Sequence, residues 1–496
     1  MLLIGCSQST SQEKKSYQTH NEETAQNDFV DSFLSQIDRT SKFIADLDEI
    51  QQRDTLKAIT TYSATSYFLY KGQPMGYEYE LSKRLSEHLG VELEMIIAKD
   101  INEIFNMLVD GQGDIITYNL TVTNNRKQYV DFTLPLNFTH QVLVQRKPSN
   151  WRQMKLHEIE QELIRNPIQM IDLPVSVREN SSYRERLINL QNELGGTIDI
   201  QFVDGNLSTD EIIKKVSRGE IDYTIADFNI ANINASYYQN IDIETTVGVM
   251  QQLAWAVRKT SPDLKNAVNQ WLESQRKETD FYVIYNKYFK NSRAFTTRAK
   301  SDLYSKEGNR ISEYDEVIQN NADVINWDWR FLASQIYQES RFDPKEKSWV
   351  GAVGLMQVMP KTAISYGVKS NNLTKPTNNL KAGVAHLSFL NEYWHEHISD
   401  SLERVKFILA SYNAGHNHVQ DARRLAKKLG YDANVWYENV ESCMLLKSQK
   451  KYYNDEVVHY GYCRGEEPVN YVKEILERFS YYTQFIELEE EAASSS

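Results

Sequence analysis

The chain has 496 residues, 41% hydrophobic and 25% charged, with a formal net charge of −13. That length exceeds one ordinary core and implies two or three domains, and the composition is that of a folded chain. The acidic balance argues against a nucleic-acid partner, since no basic surplus exists to neutralise phosphates, and no apolar run is long enough to span a bilayer.

In chain order the first feature is Leu2-Leu3-Ile4-Gly5-Cys6, followed by Ser7. Small and aliphatic residues leading to a Cys resemble the lipobox of bacterial lipoproteins, which implies that Cys6 is diacylated, becomes the mature N-terminus and anchors the chain in a membrane. The plain reading is a short apolar start with a chance Cys. Up to about Asp28 the sequence is polar and rich in Gln, Ser, Thr and Glu, so residues 1–53 are expected to be this remnant and a flexible tether.

From 54 to 290 strand and helix patterns alternate. "TLKAITTY" is a β-branched strand, "GYEYELSKRLSEHLG" a helix stopped at Gly90, "VELEMIIA" a strand, "INEIFNMLVDGQG" a helix and "DIITYNL" a strand. The order recurs in "IQMIDLPVSV", "SSYRERLINLQNELG", "IDIQFV", "STDEIIKKVSRGE" and "IDYTIADFNI", and "LAWAVRKTSPDLKNAVNQWLES" returns the chain to the first half. Alternation of this kind predicts an α/β fold of two lobes with a ligand between them.

Thr123-Asn124-Asn125-Arg126 and Asp131-Phe132-Thr133-Leu134-Pro135, downstream of "LVDGQGDIITYNL", resemble the carboxylate clamp of periplasmic solute-binding proteins for polar amino acids. The resemblance implies that Arg126 holds a ligand carboxylate through its planar fork, with Asn119 and Thr121 beside it. It further implies that Ser181 and Ser182, at a helix start, receive an anion, and that Asp227 meets the ligand amino group. The plain alternatives are a surface ion pair for Arg126, a helix cap for Ser181 and a turn residue for Asp227. The region is therefore expected to be a regulatory domain for an amino acid or a muropeptide.

Residues 291–304 are polar and basic and are expected to link the domains. From 305 to 485 helical patterns run without strands, predicting an all-α domain, and 486–496 form an acidic tail. Within the helical region "WRFLASQIYQES" places Glu339 at the end of a packed helix, which Asp343-Pro344 breaks. A carboxyl on such a shelf, walled by Tyr, Met and Trp side chains, would have its pKa raised by desolvation, as a general acid needs. The Gly351–Gly354 turn lets backbone approach a substrate closely.

Glu339-Ser340-Arg341-Phe342-Asp343-Pro344, the run Gly351 to Pro360, Ser411-Tyr412-Asn413-Ala414-Gly415 and Glu467-Pro468-Val469-Asn470-Tyr471-Val472 stand in the order of the soluble-lytic-transglycosylase domain, related in fold to goose-type lysozyme. The resemblance departs at Glu346, where Ala is common, and at Pro468, where Thr is usual. It implies that Glu339 alone cleaves the β-1,4 bond between N-acetylmuramic acid and N-acetylglucosamine and closes a 1,6-anhydro ring. Ser340, Gln357, Tyr412, Asn413 and Tyr471 would position sugar and acetamido groups. The plain readings are a helix-end Glu, a core Met356 and a Tyr-Asn turn.

The two regions in this order, behind a lipobox, resemble the membrane-bound lytic murein transglycosylase F family. This implies a lipid-anchored enzyme on the periplasmic face of the outer membrane, acting on peptidoglycan glycan strands without a cofactor. The competing readings are a binding protein with a vestigial catalytic domain and a hydrolytic muramidase. In such an oxidising compartment Cys443 and Cys463 could form a disulfide, two buried thiols being the alternative. No CxxC or His-rich cluster suggests a metal site.

Overall fold

A computed structural model of the chain describes residues 45–98, 101, 103–301 and 310–486. Cys6, the tether before residue 45, part of the expected linker and the tail from 487 lie outside the described residues. The chain divides into two compact units, one comprising the residues up to Phe68 with Met75–Ala299, the other Leu69–Pro74 with Lys300 onward.

The strands, in chain order, are β1 (Thr55–Thr60), β2 (Phe68–Tyr70), β3 (Gln73–Met75), β4 (Glu92–Ile97), β5 (Ile115–Thr121), β6 (Val130–Phe132), β7 (Asn137–Thr139), β8 (Gln141–Arg146), β9 (Pro174–Arg178), β10 (Asp199–Val203), β11 (Tyr223–Asp227), β12 (Ile241–Asp242) and β13 (Gln251–Arg258). In the first unit one sheet runs β4-β1-β5-β13-β6 with β7 also on β13, and a second runs β10-β9-β11-β8-β12. The chain passes from the first sheet to the second at His140 and returns between β12 and β13, giving the two expected lobes. β1 lies parallel to β4, from Thr55 opposite Glu92 to Thr60 opposite Ile97, and β9 parallel to β10.

β8 and β13 run antiparallel to their neighbours, which the alternation did not reveal. Gln141–Gln145 and Leu253–Arg258 are buried without a break, so neither run shows the in-out alternation that would betray its setting.

Local chemistry fixes the helices of this unit. Tyr77–Leu89 ends at Gly90 with φ 71, and Thr209–Arg218 carries a Ser208–Glu211 capping box and stops at Gly219 with φ 81. Two expected boundaries move. Residues 47–53, assigned to the tether, form a helix in which Asp46 caps the start and Ile50 is fully buried. Residues 292–299, assigned to the linker, form another that buries Phe295 and Arg298. Short polar-looking segments become helical here because one or two side chains dock into the core, a tertiary effect.

The second unit is helical apart from the Leu69–Pro74 turn. The helix Trp329–Ser340 packs against Glu466–Phe485, which also packs on Ser401–Ala414. Leu332, Ile336, Leu355, Met356, Phe407, Val472 and Ile475 meet in the core, each fully buried. Cys443 and Cys463 are free and buried, so the expected disulfide is replaced by its alternative of two packed thiols. Burial pushes the Cys443 thiol up to about 11, keeping it protonated.

Candidate functional site

The helix Trp329–Ser340 begins at Asp328, whose side chain accepts from Arg330 N, and ends at Arg341 in the left-handed region. Its buried face presents Leu332, Ala333 and Ile336 to the core, leaving Glu339 at the rim, half-buried. Tyr471, 5% exposed and carried on the Glu466–Phe485 helix, donates its hydroxyl to Glu339 Oε1 at 2.5 Å. The same hydroxyl oxygen accepts from Gln335 Nε2 at 3.1 Å. Desolvation pushes Glu339 from 4.5 up to about 7, against the lowering effect of the Tyr471 bond. No second carboxylate among the described residues contributes to that shift.

The turn beside the carboxyl is built by Asn379, which is fully buried. Its Nδ2 donates to Val353 O and Leu373 O, and its Oδ1 accepts from Met356 N at 2.7 Å. Gly354, with φ 84, is forced by this packing, since a Cβ there would lie 2.3 Å from Asn379 Nδ2. Gly383 plays the complementary part, because a Cβ on it would strike the Met356 sulfur. Gln357, at φ 47, turns Nε2 onto Glu346 O and Gly354 O.

Tyr412 donates to Met356 O at 2.8 Å and its ring lies 5.4 Å from that of His386, whose Nδ1 is 3.2 Å from Tyr366 Oη. Burial pushes His386 down to about 4, so it is neutral at physiological pH. Burial and the Glu339 charge raise the Tyr412 hydroxyl well above the usual tyrosine range, which places it in the field of the carboxyl.

The five residues expected around Glu339 thus divide. Tyr471 touches it and Tyr412 lies within its field. Gln357 is partly exposed with its amide N–H engaged by the turn. Asn413 is exposed. Ser340 is corrected: it is 6% exposed and its hydroxyl donates to Leu355 O at 2.8 Å, bracing the turn from behind. Neighbours on a helix sit about 100° apart, so Glu339 at the rim sends Ser340 into the core. Of the expected Tyr, Met and Trp walls, Tyr471 touches the carboxyl, and Met356 is fully buried. Asn379, Gln335 and His386 were missed, each being an ordinary polar residue inside a helical pattern.

In the first unit Asn119, Thr121, Arg126, Ser181, Ser182 and Asp227 all line one pocket. Arg126 donates to Thr121 O and stacks over Phe105, and Thr121 Oγ1 meets Ser182 Oγ at 3.3 Å across the two lobes. Ser181 is both a pocket residue and the cap of the Ser182–Leu194 helix. Asp227 is 4% exposed; Tyr183 Oη donates to its Oδ2 at 3.2 Å, and among the described residues its Oδ1 has no partner. Burial pushes Asp227 from 3.8 up to about 6, with the Tyr183 bond and the Arg126 and Arg178 charges acting against it. Asn119 Oδ1 is likewise buried without a partner. Arg178 lines the same pocket and was not singled out in the sequence. Its signal was its place at the end of a parallel strand, where open α/β sheets collect ligands. Among the described residues no group of His, Cys, Asp and Glu could hold a metal ion, and no helix is long and apolar enough to cross a membrane.

Comparison with known proteins places both regions. Residues 56–291 match the family of bacterial extracellular solute-binding proteins, family 3, and residues 316–435 match the transglycosylase SLT domain. Membrane-bound lytic murein transglycosylase F of Desulfosudis oleivorans is 36% identical over 435 residues, covering 88% of this chain and 90% of that protein. Membrane-bound lytic murein transglycosylase F 1 of Alkalilimnicola ehrlichii is 32% identical over 431 residues, covering 86% and 83%. Among solved structures, an ancestral amino acid-binding protein described as a precursor of cyclohexadienyl dehydratase shares 26% identity, with a TM-score of 0.40, covering 49% of this chain and 99% of that one. A solute-binding region followed by a helical SLT domain, matched along nearly the whole length, identifies the chain as a peptidoglycan lytic transglycosylase of the membrane-bound lytic murein transglycosylase F family.

Proposed function

We propose that Glu339 performs both proton transfers of the reaction. Protonated, it donates to the oxygen between N-acetylmuramic acid and N-acetylglucosamine. As a carboxylate it then takes the proton from the muramoyl 6-hydroxyl, whose oxygen bonds to the anomeric carbon and closes the 1,6-anhydro ring. The observation that carries this reading is a lone carboxyl with a pKa of about 7, hydrogen-bonded to Tyr471 and free of a second acid's field among the described residues. A group that must give and recover a proton works best when its pKa lies near the working pH. A two-acid hydrolase would need a partner carboxyl within about 10 Å to activate water or attack the sugar. The muramoyl N-acetyl group assists the oxocarbenium-like centre in place of a protein nucleophile. Tyr471 fixes Oε1, which leaves Oε2 for the sugar oxygens; Tyr412, Gln357 and Asn413 contact the sugar and its acetamido groups. Glu339→Gln keeps the shape but cannot exchange the proton, so turnover should fall at least about 10²–10⁴-fold in a folded variant. Appreciable turnover by that variant contradicts the assignment.

The pocket in the first unit supports a second element of this reading: a small amino acid or muropeptide binds there and changes the cleavage rate. Arg126 would hold its carboxylate and Asp227 its ammonium group. Coupling requires the ligand to prefer one conformational state of the enzyme, since tight binding alone shifts nothing. Cleavage assays with and without ligand test it, an unchanged rate under saturating ligand counting against regulation. The chain is further proposed to sit on the periplasmic face of the outer membrane through acylated Cys6. Recovery of the protein from its native host free of membranes, with an unmodified N-terminus, counts against that.

A further inference from the structure

The pocket of the first unit contains a second guanidinium that recognition of a plain amino acid does not use. Arg178 ends β9 and is 6% exposed. Its Nη1 donates to Leu207 O at 2.8 Å and its Nη2 to Thr209 Oγ1 at 3.3 Å, while its Nε is buried without a partner. Arg126 enters the same pocket from the other lobe. Neither arginine forms an ion pair among the described residues, and Asp227 is the single acid in the lining.

The surrounding acids leave this imbalance in place. Burial pushes Glu78 up to about 8, so it is mainly neutral at pH 7. Asp210 lies outside the lining and accepts from Ala64 N and Asn234 Nδ2. Glu185 acts on Arg126 through its field but makes no ion pair with it. Of the side chains that line the pocket, two are cations and one is an anion. A zwitterion adds no net charge and leaves one positive charge enclosed without a counter-charge, which is costly. A ligand with a second carboxylate cancels it, and a guanidinium N–H donates well to such a group.

We propose that the pocket selects an amino acid with an acidic side chain: the α-carboxylate on Arg126, the ammonium on Asp227 and the side-chain carboxylate on Arg178. The assignment rests on the reading of this pocket as an amino-acid site and narrows the class it accepts. Arg178 is then the residue that sets specificity.

The test is calorimetric titration of the full chain with L-glutamate, L-aspartate, L-glutamine and L-arginine, repeated on Arg178→Gln. One acidic ligand should bind at least about tenfold tighter than L-glutamine, the range expected for a hydrogen bond to a charged group. In Arg178→Gln the ratio of acidic-ligand to L-glutamine affinity should fall to about one, the acidic ligand losing the larger share. L-glutamine or L-arginine binding the unsubstituted chain as tightly as either acid overturns the acidic class while leaving an amino-acid site in place. Binding of none of the four overturns the amino-acid reading and the proposal together. The comparison among ligands on the unsubstituted chain decides the matter even if Arg178→Gln fails to fold, which a thermal melt would reveal.

Discussion

Tyr471 donates its hydroxyl to Glu339 Oε1 at 2.5 Å while accepting from Gln335 Nε2 at 3.1 Å, so the Glu339 carboxyl stands at the end of a short polarised chain. Desolvation favours the neutral acid and the Tyr471 bond favours the carboxylate. The balance of the two holds Glu339 near 7, where one group can act first as acid and then as base.

Removing that hydroxyl should tip the balance. In Tyr471→Phe the carboxylate loses its partner and the Glu339 pKa rises above about 7. The limb of the kcat/KM profile that reports loss of the acid should move to higher pH. Turnover at neutral pH should fall about tenfold or more, because the base form is scarcer and less well placed. A pH–rate profile with its basic limb unmoved would show that Tyr471 does not tune the acid.

Glu339 also makes a stability prediction with a definite sign. Its folded pKa lies above its unfolded value, so between 4.5 and about 7 the folded state binds more protons than the unfolded one, and stability falls as pH rises through that window. The displacement corresponds to at most about 3 kcal/mol above pH 7, less whatever solvent reaches the half-buried group. Glu339→Gln removes the titration. Its melting temperature relative to the unsubstituted chain should therefore be higher at pH 8 than at pH 5. Melting curves at the two pH values check this; a difference independent of pH would contradict it.

Asn379 hydrogen-bonds three backbone groups at once, Met356 N and Val353 O of the turn and Leu373 O beside it. Asn379→Leu strands them, at about 1–3 kcal/mol for each unsatisfied group. Denaturant unfolding should show a loss of several kcal/mol together with lost activity. A variant of unchanged stability would mean that the turn holds without this side chain.

In the first unit, Asp227 at about 6 predicts that ligand affinity drops on acidification. Below that pH the protonated carboxyl no longer balances the ligand ammonium, while the Tyr183 hydroxyl, raised by burial, stays neutral. Titrations at pH 7 and pH 5 should differ about tenfold, one pKa unit of protonation being one decade. Equal affinities would remove Asp227 from ligand binding.

Much of this arrangement was legible in the chain. The glycine stop at Gly90, the helix start at Ser181 and the ordered blocks around Glu339, Gly354, Tyr412 and Tyr471 signalled elements through local chemistry. What escaped depends on contacts between distant residues. Asn379 reads as one more polar residue at a helix start, and only its approach to Met356, 23 positions away, makes it structural. Arg178 reads as the end of a strand until the lobes bring it beside Arg126. Ser340 was misread because a shared motif does not tell which of two neighbours on a helix faces the groove. The helix at 47–53 was hidden by a polar sequence whose one buried anchor is Ile50.

One carboxyl, with no second acid acting on it among the described residues, is proposed to close the sugar on itself. Mass spectrometry of glycan fragments released from purified peptidoglycan tests it most directly. The account predicts muramoyl ends one water lighter than hydrolytic ends, no incorporation of oxygen from labelled water, and loss of all such products in Glu339→Gln. Products carrying a water-derived oxygen at the muramoyl end would contradict it and identify a hydrolase.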